Sequence, residues 1–176
     1  MSVNQALSRF LILIAVFTVI QIALQMPYLP SPLAVRFNAA GAAVGWNTAQ
    51  YFATVNVVIV AVIVGAFLIL PGMLSRRGRF KWRLPNRDYW LAPERVPKTV
   101  EYLQRQFLWY GIVTLLFLMV VFQLVVDANK LQPPRLNVAR LGWLLASYAA
   151  FIIVWGWSLW RKFSRPPPEK RDNPFD

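Results

Sequence analysis

The residues able to do chemistry are few. Seven Asp and Glu stand against 19 Lys and Arg, and the chain holds neither His nor Cys. The lack of His removes the commonest general base and the commonest transition-metal ligand together. The lack of Cys excludes disulfides and thiolate nucleophiles. Six of the seven acids (Asp88, Glu94, Glu101, Glu169, Asp172 and Asp176) lie in a basic stretch or near the chain's end. What remains assembles into no His-Glu-x-x-His pattern, phosphate-binding glycine loop, carboxylate pair or nucleophile triad. The expectation is a protein that is not an enzyme, with no metal and no cofactor.

Asp127 is the exception among the acids. It ends an apolar run, where a carboxylate reaches water at modest cost. Lys130 is its ordinary partner, three residues away. Arg36, the only charge in residues 27–48, is the other candidate. A guanidinium left unpaired against an apolar surface is costly. An ion pair between Arg36 and Asp127, pinning the intervening loop over the end of a bundle, is therefore the sharper expectation. Thr18, Gln21 and Gln25 fall at i, i+3 and i+7 and share one helix face. Interhelical hydrogen bonding is the usual role of such residues in membranes; a substrate path is the alternative.

The elements that must position these groups are membrane spans. Composition is 57% hydrophobic and 15% charged, with a mean hydropathy of +0.45. The apolar residues gather in four runs, at about residues 10–26, 51–70, 107–127 and 141–160. Each is near the ~20 residues needed to cross ~30 Å of hydrocarbon. The expected fold is all-α and integral to the membrane: a four-helix bundle over residues 1–162, then a disordered, Pro-rich, charged tail over 163–176. The first run is read as a retained helix, because no small-x-small cleavage pattern precedes Pro27.

Orientation follows from charge. Residues 75–106 carry nine of the 19 Lys and Arg. With the amino-terminal segment and the tail, 15 fall on one side of the expected spans and four on the other. Positive charge stays in the cytoplasm, so both termini and the basic loop are expected there. Trp46 and Trp143 then fall at the outer boundary, and Trp90, Trp109, Trp157 and Trp160 near the inner one. A net charge of +12 could also serve a nucleic acid, but charge beside spans orients them and attracts anionic headgroups instead. Lipid is thus an expected partner, and nucleic acid is not.

Between the first two spans, Pro27, Pro30 and Pro32 forbid a regular helix. Residues 34–37 can form a short strand before turn chemistry at residues 38–41. This loop is apolar enough to lie on the membrane or to plug the bundle's outer mouth. In the basic loop, cations alternate with Phe80, Trp82 and Leu84, the pattern of an extended interfacial segment. Pro71-Gly72 should close the second span. Pro97 should open a third helix that protrudes several turns before entering lipid, with Glu101 and Arg105 at i, i+4.

Two stretches carry a resemblance. Residues 29–46 contain Pro30, then Arg36-Phe37-Asn38, a turn at Gly41, and Gly45-Trp46 before a span. This is similar to the loop of the bacterial membrane family called domain of unknown function 1648, found also in SdpI-type immunity proteins. The family's usual His falls at Arg36 here, so a role needing a titrating imidazole does not carry over. Residues 84–95, with Asn86, Asp88, Tyr89, Trp90, Pro93, Glu94 and Arg95, resemble the cytoplasmic segment of longer members. The resemblance implies a multi-pass protein of the bacterial inner membrane, with toxin immunity or signalling as precedent and a protein or peptide partner at the outer loop. A small transporter, or an accessory or structural subunit of a larger membrane complex, is the alternative.

Overall fold

The computed structural model describes residues 2–76 and 85–165. The elements in order are α1 (Val3–Gln25), a 3-10 turn (Met26–Tyr28), β1 (Leu33–Phe37), β2 (Ala43–Asn47), α2 (Ala49–Arg76), α3 (Arg87–Trp90), α4 (Val96–Asn129) and α5 (Val138–Ser164). Four of these helices, α1, α2, α4 and α5, are long and apolar enough to cross a membrane. The chain is therefore a multi-pass helical membrane protein.

Local chemistry starts the helices where they start. Ser2 and Gln5 form a capping box, each side chain bonding the other's backbone N–H, at 3.3 and 3.1 Å. Thr48 Oγ1 accepts from the Tyr51 N–H before α2, and Asn137 Oδ1 from the Arg140 N–H before α5. Pro97 occupies the first turn of α4, as expected. At ~1.5 Å per residue, the 34 residues of α4 extend about 50 Å, well beyond ~30 Å of hydrocarbon.

Two boundaries differ from expectation. α2 does not close at Pro71-Gly72 but runs on to Arg76; membrane helices tolerate proline where neighbouring groups satisfy the freed carbonyl. α5 continues past Trp160 to Ser164, and Phe163, expected in the tail, is helical and buried. The rest of the tail, from residue 166, and the extended segment expected at 79–84 lie outside the described residues.

The helices do not form an even four-way bundle. α1, α2 and α4 make a three-helix core, in which Leu11, Ile14 and Ala15 pack with Val60, Leu108, Ile112 and Leu115. Toward the hairpin, Ile22, Ala53, Phe122 and Val126 continue it, and Phe52 stacks on Phe122 at 5.0 Å. α2 comes close because α4 offers Gly111: a Cβ there would sit 2.7 Å from the Phe67 ring. α5 stands outside this core, with none of its most apolar window buried. Aromatic stacking holds it to α4: Phe117 lies on Tyr148 at 4.2 Å and Tyr110 on Trp155 at 4.8 Å. Thr114 Oγ1 and the Tyr148 hydroxyl share a hydrogen bond of 2.9 Å. Lipid is as apolar as a side chain, so α5 has no hydrophobic drive to bury itself, and specific contacts decide where it docks.

Side-chain bonds identify the two ends. Asn4 of α1 donates to the Glu101 carbonyl of α4, and α3 bonds the last turn of α5, which makes one end the basic end. The two strands cover the opposite end.

Candidate functional site

At that opposite end the chain leaves α1 through the 3-10 turn and pairs β1 with β2 antiparallel, Leu33 opposite Asn47 and Phe37 opposite Ala43. The expected strand at 34–37 is present; its partner β2 is an addition that the sequence does not announce. Asn38 builds the turn. Its Oδ1 accepts from the N–H groups of Ala40 (3.0 Å) and Ala42 (2.9 Å), while its own N–H donates to the Ala42 carbonyl (2.9 Å). Gly41 is required at φ +80°, and a Cβ there would strike the Leu136 carbonyl. The Leu136 N–H donates to the Gly41 carbonyl at 2.8 Å and Ala42 bridges Arg135, so the turn is tied to the α4–α5 connection.

The other anchor is Asn129. Its Oδ1 accepts from the Ala34 N–H at 2.8 Å and its Nδ2 donates to the Ala34 carbonyl at 2.9 Å, pairing with β1 as a neighbouring strand would. Nδ2 also reaches the Val125 carbonyl at 2.9 Å. Leu33 and Ala34 are wholly buried beneath the hairpin, and Asn129 is only 6% exposed. Val44, Trp46 and Tyr28 remain exposed, Trp46 by 49%. Of the outer-loop motif, Asn38 and Gly41 therefore shape the turn and Trp46 faces outward. Gly45 makes room for a neighbour. A Cβ there would lie 2.6 Å from Arg36 Nε, so the bare glycine lets the arginine lie across β2. Phe37 is half-buried and Pro30 exposed.

Beneath the hairpin runs a polar chain. The Nε2 groups of Gln21 and Gln25 both donate to Gln123 Oε1, at 2.8 and 2.7 Å. Gln123 Nε2 donates to Asp127 Oδ1 at 3.0 Å, and Lys130 Nζ donates to the same oxygen at 2.7 Å. Thr18 is buried on the same face and bonds the Ile14 carbonyl. The face formed by Thr18, Gln21 and Gln25 thus turns inward, as expected. The Oε1 atoms of Gln21 and Gln25 are buried without a partner. Beside them a 290 Å³ pocket is lined by Gln25, Tyr28, Leu29, Pro30, Asn129 and Lys130, with Val126 at its back.

The structure does not join Arg36 to Asp127. Asp127 is held by Lys130, one turn along its own helix, while Arg36 lies exposed across Gly45 and is free to meet water. The expectation of a costly unpaired guanidinium fails because the loop does not bury Arg36: Asn129 and the turn pin the hairpin instead. Lys130 and Asp127 are themselves 65% and 44% exposed, so their pair contributes only about 0–1 kcal/mol.

At the basic end, residues of the second motif hold α5. Asn86 adopts the left-handed conformation (φ 52°) that its side chain tolerates. Its Nδ2 donates to the carbonyls of Phe163 (3.1 Å) and Ser164 (3.0 Å), and Trp90 Nε1 donates to Phe163 O at 2.9 Å. These carbonyls end a helix and have no intrahelical partners, so the motif serves as their cap. The Trp90 ring meets Phe163 edge to face, Arg95 lies 3.9 Å over the Tyr89 ring, and Thr99 Oγ1 donates to the Trp90 carbonyl. Asp88, Pro93 and Glu94 are exposed. Glu101 and Arg105 form no ion pair.

No family model matches the chain, and no curated protein or solved structure matches it either.

Proposed function

We propose that the protein is a binding or signalling membrane protein without catalytic activity, which receives a protein or peptide partner on its hairpin end. The observation that carries this reading is the Asn129 clamp. A connection that merely linked two spans would need no side chain imitating a strand edge, and none of its residues would need complete burial. Here a clamped hairpin leaves Val44 and Trp46 exposed, and at the same end the exposed Tyr28 of the 3-10 turn lines a pocket; aromatic anchors and a concavity are what partner recognition uses. The likeness of residues 29–46 and 84–95 to domain of unknown function 1648 points the same way, toward toxin immunity or signalling. With it go a bacterial inner-membrane location and cytoplasmic termini, supported by the excess of Lys and Arg at the basic end.

The test is purification in mild detergent of the wild-type chain and of a Val44→Asp, Trp46→Ser variant. A partner recovered with the wild type and lost from a folded variant supports the reading. Equal recovery with both moves the contact elsewhere.

A second reading has its own observation. The buried, unpartnered oxygens of Gln21 and Gln25, continuing through Gln123 to Asp127, suit a small transporter or transport accessory that holds a hydrogen-bond donor or cation at mid-path. Flux into liposomes that is abolished by Gln21→Leu and untouched by Trp46→Ser would select this reading over the first.

A further inference from the structure

Between α3, the start of α4 and the end of α5 lies a pocket of 160 Å³, lined by Trp90, Arg95, Lys98, Thr99, Tyr102, Lys162 and Phe163. Three of these seven residues are cations, and among the described residues no carboxylate forms an ion pair with any of them. Lys162 Nζ stands 3.3 Å over the Tyr102 ring, and a fourth cation, Arg105, lies 5.5 Å from the same ring. Aromatic faces hold these cations in place but leave their charge uncompensated. Like charges so gathered repel one another until an anion joins them.

The start of α4 adds to this. Arg95 at its N-cap makes no side-chain capping bond; the Val96 N–H donates to the Ala92 carbonyl and Pro97 has no N–H, which leaves the Lys98 N–H as the first-turn donor without a backbone partner at the positive end of a 34-residue helix. The α5 carbonyls that would oppose an anion are already occupied by Asn86 and Trp90. At about 30 Å³ per water in bulk, 160 Å³ accommodates the five heavy atoms of a phosphate group.

Depth in the bilayer narrows the source. The exposed Trp157 and Trp160 lie within about one and a half turns before Lys162 on α5. Tryptophans at that exposure mark the headgroup level. The pocket thus sits just beyond the apolar segments, where lipid phosphates are concentrated.

We propose that this pocket is a phosphate-binding site, with Lys98 and Lys162 contacting the oxygens and Arg95 supplying charge from its seat on Tyr89, and that the phosphate is that of an anionic lipid. The site is independent of what binds the hairpin.

The experiment titrates the full chain in neutral detergent with phosphatidic acid, with diacylglycerol of the same acyl chains, and with inorganic phosphate, followed by native mass spectrometry. One saturable phosphatidic acid is expected, with no equivalent binding of diacylglycerol. Lys98→Gln with Lys162→Met should weaken it at least ten-fold, the methionine preserving the packing on Tyr102. Lys98→Gln alone changes an exposed first-turn residue and cannot disturb the core; it should weaken binding at least three-fold. Arg87→Gln with Arg161→Gln removes equal charge from exposed positions outside the pocket and should bind as the wild type does. Inorganic phosphate that displaces the lipid at millimolar concentration supports the phosphate site but assigns it to free phosphate; failure to displace assigns it to lipid. Undiminished binding in the lysine variants, equal loss in the Arg87 and Arg161 control, or equal uptake of diacylglycerol overturns the site.

Discussion

Replacing Asn129 with Leu should free the hairpin from the bundle. The change removes both hydrogen bonds to Ala34 and leaves that residue's N–H and carbonyl without partners in a site of no solvent exposure. Each orphaned group costs about 1–3 kcal/mol, and leucine approximates the lost volume, so the pair together costs about 2–6 kcal/mol. The bond to the Val125 carbonyl is expendable, because that carbonyl belongs to the interior of α4. Hydrogen exchange of the segment containing Leu33 and Ala34 reports the loss directly. At ~1.4 kcal/mol per tenfold, protection should fall by a factor of about 30 to 20,000, up to the limit set by global unfolding. The hairpin should open locally, with the α1–α2–α4 core keeping its own protection. Unchanged protection at Ala34 in Asn129→Leu would refute the clamp and, with it, the argument that the hairpin is held rigid for recognition.

Gly111→Ala should destabilise by about 1–3 kcal/mol in detergent melts, because its Cβ meets Phe67; Gly156→Ala, facing open space, should be neutral or slightly stabilising. In a double-mutant cycle of thermal stability, Arg36→Ala and Asp127→Ala should add within about 0.5 kcal/mol, whereas coupling above that would restore the ion pair the structure lacks. Trp90→Phe keeps an aromatic ring beside Phe163 but removes the Nε1 donor and part of the indole's packing, so it should cost about 1–3 kcal/mol and speed exchange in the last turn of α5 while leaving α1 unaffected.

The spans are legible in the sequence because length and hydropathy are properties of single segments. β1 is legible too, from its residues and the turn that follows. β2 is not: Ala43-Val-Gly-Trp-Asn47 has a glycine at its centre, a residue that weakens a strand pattern, and only the structure shows Arg36 of β1 lying over that glycine. The role of Asn129 is hidden because an asparagine near a helix end reads as a surface residue. Only the approach of β1 gives its amide something to bind. The separate position of α5 is illegible for a deeper reason. In lipid, a helix face against a neighbour and a face against acyl chains share one composition, so hydropathy cannot say which way a span turns. Of the two partners the sequence offers Asp127, the near one, Lys130 three residues away, is the one it takes, because charge alone does not say whether the loop buries Arg36.

The most direct test of the hairpin as a recognition surface is site-specific photocrosslinking in intact cells. A benzophenone side chain would be placed in turn at Val44, at Trp46, and at the exposed control Val154 on α5. One discrete protein adduct is expected from Val44 and Trp46, absent at Val154 and lost when Asn129→Leu is added. No protein adduct from either hairpin position, or the same adducts from Val154, would contradict it.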